Sequence, residues 1–155
     1  LALQAYSRNM KPSETNLISF ALLLNRLALG ALFVLAGVRK LLPTEAASII
    51  DKMNGFAGFV AGQAPMPEIM GKAYGYALPW VEILAGVLLT IGLLSRLSAV
   101  LIGLMLLSFI IAMGPEWWPE QGPAFSKNFI LLTLCLLIAT LGSGKIAVKP
   151  EGPIK

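Results

Sequence analysis

Residues 73–94, AYGYALPWVEILAGVLLTIGLL, form an uninterrupted apolar stretch with a single charged side chain, Glu82. A helix over that run is long enough to cross the ~30 Å hydrocarbon core of a bilayer. Only a helix or a closed barrel satisfies its own backbone hydrogen bonds there. A carboxylate near the middle of such a helix costs about 2.5–3.5 kcal/mol on insertion scales, so it needs a partner or a task. The rest of the chain has to be organised around that residue.

Three other apolar runs accompany this one, and the spans are placed at about residues 17–42, 73–94, 97–113 and 128–141. With 57% hydrophobic and 13% charged residues and a mean hydropathy of +0.78, the composition fits a polytopic membrane protein. At ~20 residues per span, four spans account for most of the 155 residues and leave no room for a soluble catalytic domain. The expected fold is an all-α integral membrane four-helix bundle. Its membrane domain covers 17–144, between a polar N-terminal segment (1–16) and a polar tail (145–155). Pro43 ends the first span, and the Ser95–Arg96 turn makes the second and third an antiparallel hairpin. Between spans one and two, Ala46, Ile49, Ile50, Met53, Ala57 and Val60 recur at helical spacing. That pattern predicts an amphipathic interfacial helix, on the membrane or across the bundle mouth. GQAPMPE (62–68) then reads as a loop.

The net charge of +4 is not a nucleic-acid signature, because the basic residues are scattered at span ends without interleaved aromatics. Four spans put both termini on one side, which would hold seven Lys and Arg against five on the other, a bias toward cytoplasmic termini. No charged n-region followed by an apolar h-region opens the chain, so no cleavable signal is expected. The sequence contains no His and one Cys, Cys135, inside LLTLCLLIA. His-ligated haem, a His proton shuttle and thiol–disulfide exchange by a cysteine pair are therefore excluded, and no metal site is expected.

On a helical wheel Gly75, Pro79, Glu82, Gly86 and Thr90 share one face of the second span. Arg26, Gly30, Phe33, Gly37 and Lys40 share one face of the first. Small residues let helix backbones approach, so these faces are expected to meet. Side chains lean toward the N-terminus of their own helix, so in an antiparallel pair Lys40 and Glu82 lean toward each other. A Glu82–Lys40 pair follows, with Arg39 as substitute partner. The polar seam comprises Glu82, Lys40, Arg26 and Pro79, the last removing a backbone donor one turn before the carboxylate. Arg39, Arg96, Trp80, Trp117 and Trp118 read as interface anchors. Fixing helix register is weighed above ligand binding for Glu82, and proton relay below both, since the spans hold no second carboxylate or His.

The order Arg26-Leu-Ala-Leu-Gly30, Phe33, Ala36-Gly37 and Lys40-Leu41 resembles the first helix of the DoxX family. Pro79-Trp80-Val81-Glu82 followed by Gly86, Gly92 and Arg96 is similar to its P-x-x-E hairpin, and Asn128 and Gly142-Ser-Gly144 fit its last span. The likeness covers about residues 25–146. It implies membrane subunits of a thiosulfate:quinone oxidoreductase or proteins linked to methylamine dehydrogenase maturation. The favoured expectation is an accessory, non-catalytic subunit of a membrane redox or energy-transducing complex. Its partners would be lipids and other subunits, with no cofactor held by this chain alone and a shared quinone or lipid site. A catalytic thiosulfate:quinone component, in which Glu82, Lys40 and Arg26 polarise the quinone or bind an anion, is the alternative. A small transporter is the third reading.

Overall fold

The computed structural model describes residues 12–63, 65–113 and 124–153, and among these the fold is all-helical with no strand. Five helices follow in order: α1 (Pro12–Leu41), α2 (Ile49–Gln63), α3 (Glu68–Ile91), α4 (Ser95–Met113) and α5 (Ala124–Leu141). By length and composition α1 and α3 can cross a membrane, and α4 and α5 are shorter apolar helices. Trp117 and Trp118 lie outside the described residues.

The helix boundaries follow local chemistry rather than apolarity. The Ser48 side chain accepts the Asp51 N–H at 3.2 Å and the Asp51 carboxylate accepts the Ser48 N–H at 3.1 Å, a reciprocal cap that starts α2. The same carboxylate also takes the Ser48 hydroxyl, at 2.6 Å. Pro67, with φ −54°, precedes the first turn of α3, and its carbonyl receives the Met70 and Gly71 N–H groups. Helix α3 therefore begins at Glu68, within the expected loop and ahead of the apolar run at Ala73. Glu68 and Lys72 form a surface pair at 2.6 Å across its first turn. At the other end Gly92 adopts φ +76°, and the N–H groups of Gly92 and Leu93 return to Leu89 and Leu88. This left-handed closure suits glycine, which has no Cβ to clash. Leu94, also at positive φ (54°), completes the turn into α4.

Helix α1 packs most extensively on α3, and α4 on α5, with α2 laid along the N-terminal half of α3. Close approaches define the register. A Cβ on Gly30 would lie 2.7 Å from the Gly86 carbonyl oxygen, and one on Gly37 would lie 2.6 Å from that of Pro79. These pairs step in opposite directions along the two helices, so α1 and α3 are antiparallel. The same logic holds for α2 and α3: a Cβ on Gly71 would meet the Cα of Ala61 at 2.7 Å, and one on Gly75 that of Ala57 at 2.6 Å. A helix thus occupies the predicted stretch, from Ile49 to Gln63; it excludes Ala46 and packs through Ala57 and Ala61, while Ile49 and Ile50, assigned to its apolar face, stay exposed. Leu29, Phe33, Leu78, Ala85, Leu89, Ile102, Leu106 and Ile138 form a core shared by α1, α3, α4 and α5.

Candidate functional site

The α1 face predicted to be polar and small is buried from Arg26 through Gly30 and Phe33 to Gly37, with Lys40 half-buried at its end. On α3, Gly75, Pro79, Glu82 and Gly86 are buried and Thr90 is half-buried. The register set by the glycines brings Glu82 to the level of Gly37, where a Cβ would stand 3.2 Å from the Glu82 Cβ. From one turn further along α1, the Lys40 ammonium reaches both carboxylate oxygens at 2.5 Å. Glu82 is 1% exposed and the Lys40 side chain 23%. The pair is thus sealed on the carboxylate side and open on the ammonium side.

What lies on the open side was not legible in the sequence. The Lys40 ammonium sits 5.1 Å from the centroid of the Phe56 ring, which α2 carries across the end of the α1–α3 pair. Beyond it opens a cavity of about 360 Å³ between α2, α3 and α4, lined by Lys40, Phe56, Phe59, Val60, Tyr74 and Phe109 among others. Tyr74 and Ser108 bridge α3 and α4 through a 2.7 Å hydroxyl contact at its wall. One signal for this arrangement was present in the chain: Gly71-x-x-x-Gly75 faces Ala57-x-x-x-Ala61, two small-residue repeats that let α2 lie close enough to α3 to roof the space.

Arg26 does not join this pair. It lies at the opposite end of α1, 1% exposed, beneath the segment that follows α5. Its guanidinium donates to the Ile146 carbonyl, while Nε and Nη1 find no acceptor among the described residues. Glu151 supplies the nearby opposite charge. The segment is folded in place by its own bonds. Val148 and Lys149 donate to the carbonyls of Ile91 and Gly92, and Lys145 to the Ser19 hydroxyl. Glu151 donates through its N–H to Ser143 Oγ at 2.8 Å, and its carboxylate accepts the Arg96 N–H at 3.2 Å, in the first turn of α4. Arg96 also donates to the Gly152 carbonyl. Arg39 and Trp80 are exposed, and α3 runs through Pro79 without interruption.

Cys135 is buried in the core shared by the helices. Among the described residues no group of His, Cys, Asp and Glu could hold a metal ion. The exterior of the helices is apolar: Leu24 and Leu35 on α1, Leu84 on α3, Leu104 on α4 and Leu136 on α5 are all exposed.

With this geometry established, residues 18–123, spanning α1 through α4, match the family model of methylamine utilisation protein MauE. The chain belongs to the MauE family. This match overturns the DoxX resemblance. Six of the residues that carried it (Gly30, Gly37, Lys40, Pro79, Glu82 and Gly86) lie at the close contact and ion pair between α1 and α3. They therefore describe a packing mode more than an ancestry. The MauE family is membrane-associated, in keeping with the two long apolar helices. No curated protein and no solved structure matches the chain.

Proposed function

We propose that this MauE-family chain is an integral-membrane accessory subunit of a redox system, one serving methylamine utilisation as the family's description suggests. In this reading α1, α3, α4 and α5 are the four spans, α2 is an interfacial helix across one end, and both termini face the cytoplasm. The observation that carries it is the inverted polarity of the molecule. Charge is taken inside, at Glu82 and Arg26, while Leu24, Leu35, Leu84, Leu104 and Leu136 face outward on four different helices. In water that surface would be a large unfavourable exposure at roughly 25 cal/mol per Å². In hydrocarbon it is the expected exterior, and the internal charges are the groups that need protein partners.

The accessory role rests on the residue inventory. The chain has no His, and its single Cys is enclosed in the core, so it offers neither a histidine ligand for haem nor a dithiol for carrying electrons. A subunit of this kind contributes by positioning partner chains through its apolar exterior and by fixing its helices through the Lys40–Glu82 pair. Purification from native membranes in a mild detergent tests the reading. Stoichiometric co-migration with redox subunits is the expected result. A chain that migrates alone, or that alkali strips from the membrane, would refute the accessory or the membrane part respectively.

A further inference from the structure

We infer that the cavity beside Lys40 binds an uncharged lipophile bearing a carbonyl acceptor, seated with the carbonyl against the lysine ammonium. The inference rests on the membrane reading above but requires no partner subunit.

Three observations define the occupant. First, the exposed part of the lining is largely apolar, with Gln63 its polar member. Phe59, Met66 and Ile111 line the cavity and are 55%, 40% and 61% exposed, so a ligand arrives across hydrocarbon-facing side chains and must itself be lipophilic. The volume of about 360 Å³ lies within the range of small-molecule sites, and its walls are largely aromatic and aliphatic.

Second, apart from the exposed Gln63 amide, one lining side chain keeps an uncommitted donor, Lys40. The Ser108 hydroxyl donates to the Met105 carbonyl at 2.7 Å, so Tyr74 must donate to Ser108 in their 2.7 Å contact. Both hydroxyl protons are thereby consumed. An ammonium carries three N–H groups, and Glu82 takes at most two of those on Lys40. The remaining N–H has no oxygen or nitrogen acceptor among the described residues, only the Phe56 ring face 5.1 Å away, and Lys40 lines the cavity. The Lys40 side of the site thus offers a donor that an acceptor on a ligand can take.

Third, the charge is already balanced. Glu82 neutralises Lys40 within the pair, so a carboxylate or phosphate would bring an uncompensated negative charge into an apolar space. A neutral carbonyl takes the spare N–H without that cost. Two sources share this chemistry: the ring carbonyl of a membrane quinone and the ester carbonyl of a glycerolipid.

The test uses the full chain in a maltoside detergent, which carries no carbonyl, titrated calorimetrically against empty micelles. The probes are a decyl-substituted benzoquinone, monodecanoylglycerol and decylbenzene. At least one carbonyl ligand should bind saturably, one per chain, and at least tenfold tighter than decylbenzene. Whichever of the two is tighter names the source. The Lys40→Met/Glu82→Met double variant, which leaves no unpaired charge, should lose the tenfold preference and keep the decylbenzene affinity. Val60→Phe narrows the cavity, leaves the ion pair intact and should abolish all three. Equal affinity for the three probes, preference surviving in the double variant, or binding unaffected by Val60→Phe would each overturn the inference. Alkali extraction of native membranes reports separately on the membrane reading, so the two can fail independently.

Discussion

Removing one partner of the Lys40–Glu82 pair should hurt unequally, and the inequality follows from where each group sits. In Lys40→Met the carboxylate stays at 1% exposure with both oxygens deprived of their donor. Leaving a buried charge without its partner costs about 3–5 kcal/mol. In Glu82→Met the lysine keeps an exposed fraction of 23% and four flexible methylenes, so its ammonium can swing toward the open side. That loss resembles an unmade hydrogen bond, about 1–3 kcal/mol. The double variant strands neither charge and should fall within about 1 kcal/mol of the parent, since apolar replacement of a buried pair is often neutral or better. Unfolding in mixed micelles titrated with dodecyl sulfate, followed by circular dichroism, gives the three free energies of a double-mutant cycle. Equal losses in the two single variants would refute the burial argument. Additive losses in the double variant would show that the two groups do not act as a pair.

Other consequences can be checked in the same assay. Gly86→Ala places a methyl 2.8 Å from the Gly30 carbonyl oxygen and should cost about 1–3 kcal/mol by forcing α1 and α3 apart. Gly58→Ala, whose new Cβ meets nothing within 4 Å in the middle of α2, should instead be neutral or gain up to about 1 kcal/mol of helix propensity. Ser143→Ala removes the acceptor of the Glu151 N–H and should raise amide exchange at residues 145–151, leaving α2 unaffected; unchanged exchange would argue that the segment is held elsewhere. Finally, bonding to the Ser48 hydroxyl and then to the Ser48 N–H holds the Asp51 carboxyl below its usual value. A depressed carboxyl stabilises the folded state above the unfolded pKa of ~3.9 and loses that contribution as pH falls through the folded value. The stability gap between the parent and Ser48→Ala should therefore be constant near neutrality and narrow in acid, and a pH-independent gap would contradict it.

The helical class and the Lys40–Glu82 contact were legible because both depend on near-neighbour periodicity, whereas the place of Arg26 beneath the segment after α5 was not. A helix repeats every 3.6 residues, so Arg26, Gly30, Phe33, Gly37 and Lys40 share a face whatever surrounds them. The same holds for Gly75, Pro79, Glu82 and Gly86. Given two such faces, antiparallel packing leaves few ways to place Glu82 other than beside Gly37, with Lys40 leaning in. Boundaries were less legible because apolarity marks what hydrocarbon tolerates, whereas helices start at caps. Pro67 and Glu68 open α3 ahead of its apolar run, and Ser48 with Asp51 fixes the start of α2. Kinship was misread as DoxX for a related reason: small residues and one buried charge record how helices pack, which different families share.

By itself, then, the sequence determined which residues share a helix face, where charge must be internal, and which redox chemistries the chain cannot perform with its own side chains. Tertiary structure alone decided what those faces enclose. Phe56, Tyr74 and Ser108 lie on three different helices and carry no mutual spacing signal, yet α2 docking on Gly71 and Gly75 brings them around one cavity. Arg26 and Ile146 are equally remote in the chain. They meet because Gly142 and Gly144, both at positive φ, turn the last segment back over the helix ends. Local spacing constrains a helix face, but a cavity or a cross-chain bond depends on the relative placement of whole helices, which is set by the sum of many contacts distributed along the sequence.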